Sequence, residues 1–224
     1  MPSSGYLLIN KPAGPTSHDI IDALRRLTGL AKIGHAGTLD PFASGLLICA
    51  VGREATKSIA KFVKLDKEYI ATLHLGAVSD THDKTGKIIS RPTASQPALE
   101  AINAVIARFI GPQEQLPPMY SAKKINGRKL YELARSGKVV ERQPSNIEIF
   151  NLAVLNYSWP HLSLKINCSS GTYIRSLAFD LGEGLGCGAY VAELQRTAIG
   201  QYRLEQAITL AELTTINWTE RLFI

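Results

Sequence analysis

The residues best suited to chemistry lie in Gly34-His35-Ala36-Gly37-Thr38-Leu39-Asp40-Pro41, which runs on through Phe42-Ala43-Ser44-Gly45-Leu46-Leu47. Two glycines bracket a histidine, and a carboxylate follows just before a proline and an apolar run. Glycine permits positive φ or close backbone approach, and proline fixes φ near about −65°, so Asp40 is expected on a stiff turn. A carboxylate held in this way can serve as a nucleophile or a general base. The same residues also suit an ordinary Asp-Pro turn, and spacing alone leaves both readings open.

Ser169-Ser170-Gly171-Thr172-Tyr173-Ile174-Arg175 is the second unusual segment: a strand end, a glycine, then an aromatic and an arginine opening a helix. Arg175 fits an exposed helix face and Tyr173 a core position. A guanidinium at the start of one element can equally meet a carboxylate at the end of another and keep it ionised. The five histidines are scattered, and Asp80-Thr81-His82-Asp83 lacks the remaining spacings of a calcium or zinc site, so it reads as a hairpin turn and no metal is expected. Phosphate-loop, dinucleotide and nucleophile-elbow patterns are absent.

These residues need a scaffold, and 224 residues with 45% hydrophobic and 20% charged content suit a globular domain. No linker, repeat or low-complexity tract is visible, so residues 1–224 are expected to form a single domain. Met1-Pro2-Ser3-Ser4-Gly5 lacks signal-peptide features, no apolar run suits a membrane span, and a cytoplasmic location is expected. Cys49, Cys168 and Cys187 are odd in number and widely spaced, and are read as reduced, mostly buried thiols.

The net charge of +6 is unevenly placed. Lys123, Lys124, Arg128, Lys129, Arg135, Lys138 and Arg142 face only Glu132 and Glu141, whereas residues 143–224 are net acidic. Such a run is often only a solvated face. Its localisation, with Tyr120 and Tyr131 interleaved, favours a nucleic-acid footprint.

Hydrophobic patterning predicts a strand at 6–9 and a helix at 18–28 capped by Ser17 and ended by Gly29. A doubly buried strand at 46–51 and a helix at 54–64 follow. A strand at 69–75 is expected to form a hairpin with 87–90 across the polar turn at 80–86. Residues 97–110 form the clearest helix, with Leu99, Ile102, Val105, Ile106 and Phe109 as core residues and Gly111-Pro112 as the stop. Residues 128–135 read as a short basic helix. Strands are expected near 147–157, 162–168, 189–195 and 199–203, with helices near 173–183 and 209–213. Short turns between neighbouring strands imply an α+β fold with a mixed, largely antiparallel central sheet flanked by helices and loops.

The first segment resembles the catalytic motif of the TruB family, the bacterial tRNA pseudouridine-55 synthases. Lys11-Pro12-x-Gly14-x-Thr16-Ser17, Ala55-Thr56-Lys57, Lys67-x-Tyr69, Pro118-x-Tyr120-Ser121-Ala122-Lys123 and Gly171-Thr172-Tyr173-Ile174-Arg175 are similar to further segments of that family, in the same order. The match spans about residues 6–213. It implies a cofactor-free isomerase that breaks the C1′–N1 bond of a uridine in the tRNA T-arm, turns the base and rejoins it through C5. Asp40 would be the essential aspartate and Arg175 the arginine paired with it. His35 would enter the space vacated by the flipped base, with Tyr69, Tyr173 and Leu194 lining its pocket and Lys11 nearby. The basic segment at 118–142 would contact the RNA backbone. No membrane and no obligatory protein partner is implied.

Many relatives carry a C-terminal PUA domain, for which this chain leaves no room, so fewer acceptor-stem contacts are expected. A tRNA-binding or folding protein that uses the pocket without chemistry, and a small-molecule enzyme built on the same Asp, are the competing readings. A pure binder would release no hydrogen from C5, and a small-molecule enzyme would bind independently of salt.

Overall fold

A computed structural model describes residues 4–93, 95–121, 124–125, 128–129 and 140–224, with backbone alone described at 124–125 and 128–129. The chain divides into two compact units, Met1–Tyr69 with Gln195–Ile224, and Ile70–Leu194. The class is α+β with a largely antiparallel sheet, as expected.

In the first unit, β1 (Gly5–Lys11) leads into α1 (Ser17–Thr28), β2 (Ile33–Ala36) and β3 (Ser44–Val51). β3 is buried on both faces, as its unbroken apolar run requires. Leu47, Cys49 and Val51 pack with Ile20, Ile21 and Leu24 of α1, while Leu46, Ile48 and Ala50 pack with Ala55, Phe62 and Ile199. The cap of α1 lies one residue earlier than predicted. Thr16 and Asp19 form a reciprocal capping box, and Gly29 closes the helix at φ 71°. Thr16→Ala is expected to cost about 1 kcal/mol and lower the Tm by about 2–4 °C, read by thermal denaturation.

The predicted helix at 54–64 is two pieces, α2 (Arg53–Ser58) and α3 (Ala60–Val63). The Ser58 hydroxyl donates back to the Glu54 carbonyl, which loosens the helix where it breaks. The end of the chain returns to this unit, where Tyr6 and Phe223 exchange backbone hydrogen bonds of 2.8 and 3.0 Å. Residues 209–213 are a turn and not the predicted helix. The Glu212 carboxylate accepts from the Thr209 amide and hydroxyl, and one hydrogen-bonded turn does not propagate.

β4 (Lys67–Leu75) carries the chain into the second unit. Its expected hairpin partner is displaced: Gly76, at φ 80°, interrupts the run, and β5 (Ala77–Ser79) pairs with β6 (Ile88–Ser90) in a separate two-stranded sheet. The helix predicted at 97–110 is shorter, α4 (Leu99–Ala107). Only Ile102 and Ile106 of its five proposed core residues are buried, and Leu99 is exposed.

Gly111-Pro112 does not merely stop that helix; it opens β7 (Gly111–Gln115), which ends the strand order β4, β11, β10, β7, where a proline is tolerated. β8 (Lys124–Ile125) and β9 (Arg128–Lys129) form a small antiparallel pair, so the predicted basic helix does not begin at Arg128. The remainder of that prediction, residues 130–135, lies outside the described residues. β10 (Ser145–Ser158) pairs with β11 (His161–Cys168), α5 (Ile174–Gly184) follows, and β12 (Ala189–Ile199) leads back to the first unit, where β13 (Tyr202–Arg203) pairs with its end. All three cysteines are free and buried.

Candidate active site

Asp40 stands in the loop between β2 and β3, at the point where the neighbour of β3 changes. β1 pairs along one edge of β3 from Gly45 to Val51. Along the other, β2 pairs with Ile48–Val51 and β12 runs parallel beside Ser44 and Gly45. The loop leaves the sheet in the gap between β2 and β12.

That loop is fixed at nearly every second residue. The Gly37 carbonyl accepts from an Arg196 Nη at 3.1 Å. Leu39 is held at both backbone groups by Ser17, whose hydroxyl donates to the carbonyl at 3.1 Å and accepts from the amide at 3.0 Å. The Pro41 carbonyl accepts from the Gly14 amide at 2.8 Å, and Asp40 and Ala43 close a turn at 3.1 Å. The Lys11–Ser17 motif therefore acts on the loop through Gly14 and Ser17. Ser17, at 2% exposure, is a loop anchor and not the predicted cap.

Lys11 is fully buried, with Nζ donating to the carbonyls of Pro12 at 2.9 Å and Pro15 at 2.8 Å. Burial pushes its pKa down to about 8, and the opposing influence comes first from Asp40. A cation thus stands in the field of the carboxylate.

His35, at the middle of β2, meets the ring of His18 edge-on at 6.0 Å between centroids. Its Nδ1 is buried without a hydrogen-bond partner. Burial, helped by His18 and Arg196, pushes its pKa down to about 4, so the ring is neutral at neutral pH. A lowered folded pKa means the unfolded chain binds more protons between about pH 6.5 and 4, so stability falls as pH drops through that window. His82 acts in the same direction, since burial also pushes it to about 4. His35→Gln is therefore expected to make the loss of stability between pH 6.5 and 4 shallower without removing it, as read by urea denaturation across that range.

Tyr69 is buried on β4, and Lys67, two residues before it, donates Nζ to the carbonyls of Val63 and Leu65 at the end of α3. The Lys67-x-Tyr69 motif is thus a helix-end clamp followed by the aromatic.

Tyr173, Arg175 and Leu194 belong to the second unit. The Tyr173 backbone is gripped by the Gln115 side chain, which accepts from its amide at 2.8 Å and donates to its carbonyl at 3.0 Å. Arg175 is 4% exposed, which excludes the exposed-face reading. It donates to the carbonyls of Thr81 at 3.1 Å and Tyr120 at 2.7 Å and lies 3.4 Å from the Asp83 carboxylate. Asp83 in turn accepts from Thr85 and Thr81, so the 80–86 turn is organised around this carboxylate. Leu194 is buried on β12.

Of the expected RNA-backbone residues, Arg142 donates to the Pro117 carbonyl at 2.9 Å, tying together the two ends of the basic segment. Lys123, Arg135 and Lys138 lie outside the described residues, as do the side chains of Lys124, Arg128 and Lys129. Sequence reasoning missed Arg196 and Asp83. Arg196 was detectable as a cation in phase with buried Leu194 and Ala198.

Residues 25–174 match the family described as TruB family pseudouridylate synthase (N terminal domain), about two thirds of the chain. The chain belongs to that family. Residues 175–222 match a tRNA pseudouridylate synthase B C-terminal domain. Among proteins named tRNA pseudouridine synthase B, that of Protochlamydia amoebophila is 50% identical over 97% of this chain and 82% of its own. That of Geotalea uraniireducens is 44% identical over 97% of this chain and 68% of its own. Among solved structures, a Cbf5-Nop10-Gar1 complex contains a chain with 29% identity and a TM-score of 0.74, matched over 96% of this TruB-family chain and 56% of its own length. An H/ACA RNP bound to a substrate RNA containing 2'-deoxyuridine matches with 27% identity and a TM-score of 0.72, over 96% of this chain and 55% of that one. This chain thus spans a little over half the length of those two.

Proposed function

We propose that this TruB-family enzyme isomerises uridine 55 in the T-loop of tRNA to pseudouridine, with Asp40 as the reacting carboxylate. The observation that carries the reading is the pinned loop: Asp40 projects from a backbone held at Gly37, Leu39, Pro41 and Ala43, with buried Lys11 in its field. Such fixing supplies the orientation that a substitution at C1′ needs. The reaction balances internally. The C1′–N1 bond breaks, C1′–C5 forms, the C5 proton leaves and N1 takes one up, so neither oxidant nor cofactor is consumed.

A uridine within a folded loop must be extruded first, at about a few kcal/mol of unstacking. A neutral imidazole suits the vacated space, because a charged ring would pay desolvation among the bases, and His35 is neutral above about pH 4. Tyr69, Tyr173 and Leu194 are the aromatic and apolar surfaces for the flipped base, and Arg175, beside Asp83 in its own unit, is by the family resemblance the cation that answers Asp40. Lys123, Lys124, Arg128, Lys129, Arg135, Lys138 and Arg142 supply phosphate contacts along the T-arm. Residues 1–224 act as one catalytic domain.

The test is a map of modified nucleotides in an unmodified tRNA transcript after incubation with the protein. One pseudouridine at position 55 is expected. Pseudouridine confined to other positions would overturn the substrate assignment.

A further inference from the structure

The geometry points to Arg196 as a positioning residue for uridine isomerisation, a buried two-pronged clip that closes the Asp40 loop and sets where its carboxylate stands. The guanidinium donates Nε to the Leu46 carbonyl at 2.8 Å and Nη to the Gly37 carbonyl at 3.1 Å. These acceptors are the residue after β2 and the third residue of β3, so one side chain spans both ends of the loop. The backbone of Arg196 adds a second restraint. It lies in parallel register with Gly45, where a Cβ would stand 2.3 Å from the Arg196 carbonyl oxygen and 2.7 Å from its nitrogen. At φ 110° Gly45 already occupies a region that L side chains rarely adopt. Gly37, at φ 81°, presents its carbonyl to the fork, and a Cβ there would stand 3.5 Å from a guanidinium nitrogen.

At 1% exposure Arg196 is too buried to touch an RNA, so any effect on the reaction passes through the loop. Its position is in phase with buried Leu194 and Ala198, where an apolar side chain would fill the core without the desolvation cost of a guanidinium. The fork is what an apolar residue cannot supply. Lysine keeps the charge but lacks the rigid planar geometry that reaches two fixed acceptors together. Ser17 and Gly14 hold the middle of the loop, and Arg196 holds its ends.

This inference rests on the assignment of Asp40 as the reacting group, which Asp40→Asn tests separately. Arg196→Lys and Arg196→Gln, made in the full chain, are to be compared with wild type in single-turnover conversion of saturating tRNA transcript and in equilibrium tRNA binding. Cooperative melting is followed in parallel. Both variants are expected to melt cooperatively and bind tRNA within about twofold of wild type, with the conversion rate reduced about 10²-fold. A wild-type rate in a folded variant would overturn the proposal, as would rate and binding falling together. Failure of Arg196→Lys to fold would also overturn it, by assigning the residue to core stability alone. Inactive Asp40→Asn with fully active Arg196 variants would sink only this inference, whereas active Asp40→Asn would sink the reading on which it rests.

Discussion

Asp40→Asn is expected to reduce pseudouridine formation by about 10⁴-fold or more, the scale on which removal of a reacting side chain acts, while tRNA binding stays within about twofold. The amide keeps the size and most of the hydrogen-bonding shape of the carboxylate but carries no charge. Every loop anchor described around it uses backbone groups at Gly37, Leu39, Pro41 and Ala43, so the fold of the loop does not depend on the Asp40 side chain through those bonds. A single-turnover assay with separately measured binding distinguishes loss of chemistry from loss of RNA. Full activity in the amide variant would remove Asp40 from the mechanism.

Asp83→Ala is expected to destabilise the protein by about 1–3 kcal/mol, because it leaves the Thr81 and Thr85 donors without their carboxylate and takes one counter-charge from a buried arginine. Asp83 and Arg175 are 5% and 4% exposed at the side chain, and the same carboxylate organises the turn through the Thr85 amide. The contrast is Glu54→Ala, which breaks the exposed pair with Lys57 and is expected to cost about 0.2–1 kcal/mol. Urea denaturation of the two variants beside wild type reads the difference. Equal costs would show that burial does not govern these pairs.

The parts of the fold legible in the sequence are those where a single pattern decides. The unbroken run at Leu46–Val51 becomes β3 with both faces covered, and the amphipathic run after Ser17 becomes α1. Where two signals compete, the tertiary partner decides. Thr16 and Ser17 are both able to cap a helix, and what assigns Thr16 to the cap is the demand of Leu39 for the Ser17 hydroxyl, 22 residues away. Likewise the strand at 69–75 reads as one arm of a hairpin with 87–90, until Gly76 turns the chain into a second sheet.

In the site, residue types were legible and partners were not. Gly45 is visible as a glycine, but its reason, contact with the Arg196 backbone, depends on β12 arriving about 150 residues later beside β3. Asp83 sits in a turn rich in Asp and Thr, where local hydrogen bonding is the default expectation. Its ion pair with Arg175 spans 92 residues and leaves no periodic trace.

The most direct test of the account is tritium release from a tRNA transcript labelled at C5 of uridine, with wild-type protein in excess. Forming C1′–C5 displaces the C5 hydrogen, so release is predicted to plateau at one tritium per tRNA and to match the pseudouridine formed. A protein that binds the transcript and releases none would contradict catalysis and leave only RNA binding.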